Sequence, residues 1–177
     1  MAINVQIAIK KHKKYATTIA EMIEVAALRK ENSIALRKPE YILDKIIKGK
    51  SIIALDQNIV VGFCYFETWG DFEFISNSGL IVNEKYRGRG FSKEIKKQIF
   101  NLSRKKFPNA KLFGLTTSPA VMKINHELGY EIVTYNKLTK DETFWAGCKT
   151  CSNYETLLNS GRENCKCTGM LMDPNKT

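Results

Sequence analysis

Hydrophobic positions along this chain recur at two periods. From Thr18 to Lys30, Ile19, Met22, Ile23, Ala26 and Ala27 follow three- and four-residue steps, which predicts a helix with one apolar face. Pro39 to Ile47 predicts a second helix, with proline first, where its missing N–H is not needed. The period then falls to that of strands. Val5 to Ile9 reads as a short first strand, and Ser51 to Leu55 and Ile59 to Thr68 as a hairpin about the turn Asp56-Gln57-Asn58. Phe72 to Val82 reads as a fourth strand. Helical spacing returns with Phe91, Ile95, Ile99 and Leu102, which predicts a helix from Ser92 to Phe107. On it, Lys93, Lys96, Lys97, Arg104, Lys105 and Lys106 take the remaining faces.

Pro108-Asn109 breaks the chain before a fifth strand, Lys111 to Thr117. Ser118 offers an N-cap with Pro119 at the first helical position, Val121, Ile124 and Leu128 share a face, and Gly129 suits the helix end. Tyr130 to Tyr135 reads as a sixth strand. The order β-α-α-β-β-β-α-β-α-β implies an α/β (α+β) fold, a mixed sheet with helices on both faces.

Composition is that of a globular chain: 177 residues, 44% hydrophobic and 26% charged, enough for one domain with a substantial core. No apolar run approaches the eighteen residues that span a bilayer, and the first fourteen residues are too polar for a secretory signal, so a cytoplasmic protein without membrane partners is expected. The net charge of +10 is uneven. Lys85 to Lys106 holds nine basic residues against one acid, and residues 1 to 50 hold eleven against five. Neither cluster interleaves aromatics as single-stranded nucleic-acid surfaces do, which disfavours nucleic acid as a partner.

The charge centres on a turn. Arg87-Gly88-Arg89-Gly90-Phe91-Ser92 links the strand ending in Leu80-Ile81-Val82 to the basic helix. A glycine-containing turn opening a helix leaves backbone N–H groups unpaired at the positive end of the helix dipole, a seat for phosphate. A dinucleotide fingerprint would need a glycine where Lys93 stands, and no Gly-Lys-Ser/Thr closes a nucleoside-triphosphate loop.

The six residues from Arg87 to Ser92 resemble the Gln/Arg-x-x-Gly-x-Gly/Ala signature of the GNAT superfamily of acyl-CoA-dependent N-acyltransferases. Ser118 to Tyr130, with its Leu128-Gly129-Tyr130 ending, is similar to that family's later helix, and the resemblance covers about residues 3 to 140. It implies a mostly antiparallel, GNAT-like sheet of about seven strands. Residues 1–140 would form the acyltransferase domain, and 141–177 a Cys-rich crossing completing it, with Lys166 to Met172 as the last strand. The resemblance further implies acetyl-CoA or another acyl-CoA as donor. Its diphosphate would lie on Arg87, Gly88, Arg89, Gly90, Phe91 and Ser92, and its pantetheine would pair with the backbone of Leu80, Ile81 and Val82.

Many family members carry a tyrosine, thought to protonate the leaving thiolate, where this chain has Asn125, which is assigned to the cofactor side. Lys85, Arg89 and Lys93 would add long-range attraction. Glu73 and Glu67 are the candidate bases, with Ser76, Asn77 or Ser78 ordering a water as the alternative, and donors near Gly79 to Ile81 as an oxyanion site. The acceptor implied is a small-molecule primary amine. The Phe144-Trp145-x-Gly147-Cys148 segment is similar to bacterial acyltransferases acting on glutamate, and a homodimer is compatible with the family.

Four of five cysteines fall at Cys148, Cys151, Cys165 and Cys167. They suit the ligands of a structural zinc, reduced structural or redox thiols, or a catalytic cysteine. Cys64, in a strand, reads as a buried small hydrophobe. A competing reading is a basic zinc-knuckle module binding nucleic acid or protein, and another a CoA-binding GNAT fold without catalysis.

Overall fold

The computed structural model describes residues 3–29 and 32–176. Strand β1 (Asn4–Ile7) leads through a 3-10 turn to helices α1 (Ala16–Ala27) and α2 (Pro39–Ile47), then β2 (Ser51–Asp56), β3 (Ile59–Trp69) and β4 (Phe74–Val82). Helix α3 (Phe91–Lys106), β5 (Lys111–Thr116), α4 (Pro119–Glu127) and β6 (Glu131–Ile132) follow. Two short helices, α5 (Glu142–Ala146) and α6 (Tyr154–Asn159), precede β7 (Thr168–Met172).

All seven strands form one sheet in the order β1-β2-β3-β4-β5-β7-β6, antiparallel except for β4 with β5. The two-residue period sorts each strand between two cores. Ile53, Leu55, Phe63 and Tyr65 meet α1 and α2 on one face, while Ile52, Ala54, Cys64 and Phe66 meet Ile95, Ile99 and Leu102 of α3 on the other. A third cluster of Phe74, Phe113, Tyr135, Trp145 and Leu157 packs the segment after β6 against the β4–β5 region.

Several boundaries differ from the sequence pattern. Strand β1 stops at Ile7, because residues 10–15 coil into a 3-10 turn that buries His12, whose Nδ1 accepts the Ile9 N–H at 3.0 Å. Helix α1 consequently starts at Ala16, and Lys30, its expected end, lies outside the described residues. Strand β6 keeps only two residues, since Thr134 already caps a 3-10 turn.

Two features of β4 shape the cleft. Its register on β3 passes from Phe63↔Ile81 to Tyr65↔Ser78, so β4 carries one extra residue at a bulge beside Gly79, whose φ is +65°. On the other side it pairs with β5 only through Phe74↔Lys111, Ile75↔Leu112 and Ser76↔Phe113. Beyond Ser76 the two strands part, and β5 continues against β7 to Thr116.

Candidate active site

The gap between β4 and β5 opens into a cleft of about 490 Å³ lined from β4 by residues 76–82 and from β5 by residues 114–116. Its mouth lies at the Val82 end of β4. There Gly88 and Gly90 have φ of +72° and +86°, and nothing lies within 4 Å of a Cβ placed on either. This open turn leaves the N–H groups of residues 88–92 without a hydrogen-bond partner among the described residues, while Lys93 and Glu94 donate to the Gly90 carbonyl as α3 begins. Arg87 is tied by Nε to the Val82 carbonyl at 3.2 Å, which sets its guanidinium on the rim, and Arg89 lies over the Tyr86 and Phe91 rings at 5.4 Å.

Leu80, Ile81, Val82, Arg87, Ser92 and Asn125 all line the main cleft; Arg89, Gly90 and Phe91 line a separate, more open pocket against residues 3–5. The structure thus brings the two ends of the turn, Arg87 and Ser92, to the same cleft as the β4 edge and Asn125, while Gly88 lines neither pocket. Lys93 departs from expectation, because it is ion-paired with Glu127 of α4 at 2.6 Å.

Neither expected base reaches the cleft. Glu73 is exposed at the start of β4 and bonded to Lys111 at 3.2 Å, at the closed end of the wedge. Glu67 is ion-paired with buried Lys45 and with Lys50, the latter at 2.7 Å. Burial alone would raise the Glu67 pKa, but the two ammonium groups outweigh it and hold the carboxyl below its ordinary value. Among the described residues the cleft lining includes Arg29, Arg37, Arg87 and Lys96 and no carboxylate. Of the hydroxyl and amide candidates, Ser76 Oγ accepts from Trp69 Nε1, and Asn77 donates to the Tyr130 hydroxyl and accepts from Ser103; Ser78 is half-buried on the cleft wall. His126 is exposed, as its place on α4 predicts.

The side of the cleft away from the turn is built from the loop before α2 and the segment between β6 and β7. Arg37 donates from Nε to the Tyr65 hydroxyl at 3.0 Å and from Nη1 to the carbonyls of Leu36 and Gly147. No carboxylate pairs with it among the described residues. Residues from Phe144 to Cys167 contribute a roof on this side of the cleft. Thr150 donates to the Leu36 carbonyl and Asn153 to Ser33, so the roof and the loop before α2 hold each other.

The cysteines of the roof require a correction. Cys148, Cys151, Cys165 and Cys167 are half-buried neighbours on the cleft wall, yet no group of three or more His, Cys, Asp or Glu among the described residues is arranged to hold a metal ion. Burial, and then the adjacent thiols, push Cys148 up to about 11 and Cys167 up to about 12, so both are neutral thiols near pH 7. Cys64 is fully buried as expected, its thiol 3.2 Å from the Ser78 carbonyl.

Solved structures share this architecture. The chain is similar to N-acetylglutamate synthase from Neisseria gonorrhoeae complexed with coenzyme A and N-acetyl-glutamate, with a TM-score of 0.67 and 14% identity, over 99% of this chain and 36% of that one. It is also similar to diaminobutyrate acetyltransferase from Paenibacillus lautus in complex with L-2,4-diaminobutyric acid and coenzyme A (TM-score 0.66, 12% identity, 99% of this chain and 97% of that one). An acetyltransferase of the GNAT family from Staphylococcus aureus Mu50 matches at a TM-score of 0.68 and 11% identity, over 98% of this chain and the whole of that one. The chain thus spans about a third of the synthase chain and nearly all of the other two. No family model and no curated protein sequence matches it. The fold is that of the GNAT acyl-CoA N-acyltransferases. Among the described residues no helix is long and apolar enough to cross a membrane.

Proposed function

We propose that the protein is an acyl-CoA-dependent N-acyltransferase that moves an acetyl or other short acyl group to the primary amine of a small, carboxylate-bearing metabolite, an amino acid such as glutamate. The observation that carries this reading is the wedge between β4 and β5, with unpaired N–H groups of residues 88–92 at its mouth. A diphosphate fits those donors and the α3 dipole. A pantetheine arm fits the free edge of residues 78–82, as a strand added to a sheet.

Arg37 supports the acceptor class. A guanidinium in a cleft without a carboxylate of its own is suited to bind one from outside, in bidentate fashion. Of the four lining cations, Arg29 and Arg87 pair with Glu84, which leaves Arg37 and Lys96 as the charges that favour an anionic ligand. With no carboxylate base in the cleft, the surplus proton of the attacking amine passes to water; of Ser76, Asn77 and Ser78, the first two are engaged by Trp69, Tyr130 and Ser103, which favours Ser78 to order that water. Holding amine and thioester together then supplies much of the rate, since effective molarities of about 10⁵ M or more accompany good alignment.

Thermal melting with millimolar acetyl-CoA tests the donor, because a ligand at about 100 times its Kd adds ~2.7 kcal/mol of stability. Thiol release with acetyl-CoA and succinyl-CoA across the twenty amino acids tests the acceptor. Arg37→Ala is expected to raise KM for the preferred amino acid at least tenfold and leave that for its decarboxylated amine unchanged. No stabilisation by either CoA ester, or no release with any amino acid, refutes the corresponding half.

A further inference from the structure

At the apex of the wedge lies a buried cation that the residue pattern of α3 assigns to solvent. Lys96 is 2% exposed and lines the cleft. Its one hydrogen bond among the described residues is a long one, 3.3 Å, to the carbonyl of Asn77, the first residue past the last β4–β5 pair. The Tyr130 ring stands 6.0 Å from its Nζ, and no carboxylate pairs with it among the described residues. Taking an ammonium out of water costs several kcal/mol unless a charge answers it. A second buried group there is also unanswered: Asn125 is 1% exposed, lines the same cleft, donates Nδ2 to Met170 Sδ at 3.6 Å, and leaves Oδ1 without a partner.

The direction of the wedge says what reaches these groups. A CoA with its diphosphate on residues 88–92 enters at the Val82 end of β4, and its pantetheine, running from residue 82 toward 78, delivers the sulfur to Asn77 and the apex. We propose that Lys96 is the acid that protonates the departing CoA thiolate, and that Asn125 Oδ1 accepts a hydrogen bond from the thiol so formed. This rests on the acyl-CoA reading above and supplies the acid that Asn125 itself cannot be.

The step balances. The amine nitrogen bonds to the acyl carbon, the C–S bond breaks with its electron pair going to sulfur, and the Lys96 ammonium gives sulfur a proton. The new amide nitrogen loses its extra proton to cleft water, and Lys96 takes a proton back from solvent when CoA leaves. Burial lowers the Lys96 pKa from its ordinary value, which makes the ammonium a readier proton donor to a departing thiolate. The other titratable groups facing it, Cys64 of β3 and Tyr130, are both raised by burial, Cys64 to about 11, and stay neutral.

The test reads the thiol directly. The ultraviolet absorbance of CoA thiolate in the complex is titrated against the desulfo-CoA complex as blank, with binding followed by calorimetry. In the wild-type protein the bound thiol is expected to ionise at least one pKa unit below free CoA, a tenfold excess of thiolate at a given pH. In Lys96→Met, which retains CoA binding, it returns to the free value or above. Lys96→Gln, which keeps a donor for the Asn77 carbonyl but has no titrating proton, must behave the same and serves if the first variant does not fold. With the best amino-acid acceptor, Lys96→Met should lose at least 10²-fold in kcat on acetyl-CoA and far less on an acetyl thioester of an aryl thiol, whose departure needs no proton. Equal thiol titration in wild type and variants, or an equal loss on both thioesters, overturns the proposal. If the wild-type protein binds no CoA, the acyl-CoA reading fails first and the role of Lys96 falls with it.

Discussion

Gly79→Ala isolates the bulge on β4. At φ of +65° any Cβ meets the backbone in the left-handed region, which costs about 1–2 kcal/mol for an L residue. It would also stand 2.8 Å from Cδ1 of Tyr65 and closer still to Cε1. That ring has nowhere to go. It is 2% exposed, Tyr41 packs edge-on at 5.5 Å, Phe63 lies at 6.4 Å, and Arg37 holds the hydroxyl at 3.0 Å. Overpacking of this kind adds about 1–3 kcal/mol. The sum, about 2–5 kcal/mol, is a large part of the stability of a domain of this size. Gly88→Ala is the control, because its φ of +72° carries the same backbone cost while its Cβ meets nothing within 4 Å. Urea unfolding at pH 7 measures both, read as shifts in midpoint at constant slope. If Gly79→Ala costs no more than Gly88→Ala, the Tyr65 ring is not confined as described. The two variants should exchange rank in acetyl-CoA affinity, since only the Gly88 methyl projects into the phosphate turn.

Glu67→Gln leaves Lys45, with 4% of its side chain exposed, without its carboxylate partner on β3; the loss is expected at about 3 kcal/mol, the low end for a broken buried pair because Asp44 stays 3.2 Å away. Since the Glu67 pKa is lowered in the folded state, its stabilisation is present above the unfolded value of about 4.3 and disappears as pH falls through the folded one. Urea midpoints between pH 7 and pH 3 should therefore drop more steeply in wild type than in Glu67→Gln. Without a carboxylate in the cleft, kcat/KM for an amine acceptor should climb with pH toward the pKa of that amine, and an acidic limb between pH 4 and 6 would reveal a carboxylate base.

The turn at Arg87 to Ser92, the hairpin and the stripe of α3 were legible because each is a local pattern: glycines before a helix, β-branched runs about a turn, apolar steps of three and four. Lys96 was not. It follows Ile95 in a helix rich in lysine, and only the packing of α3 on the splayed strands shows that it points inward, in line with Ser103 seven residues on, which bonds to Asn77. Glu73 and Glu67 lie off the cleft lining because their partners Lys111, Lys45 and Lys50 come from other elements, and a sequence does not show which cations a strand-end carboxylate will meet. Arg37 sits in a loop without periodicity, and its value follows from what is missing around it. The spacing of the clustered cysteines suits metal ligands, yet the segment carrying α5 and α6, too short for any periodic signal, sets them on the cleft wall without a metal-holding group among the described residues.

Strand β7, made last, lies inside the sheet between β5 and β6. Until it arrives, the far arm of the wedge is an unpaired edge, and its partners from residue 112 to residue 172 must meet across most of the second half of the chain. Refolding from urea should therefore recover the α3 core early, and the capacity to grip a ligand between the two arms only in the closing phase.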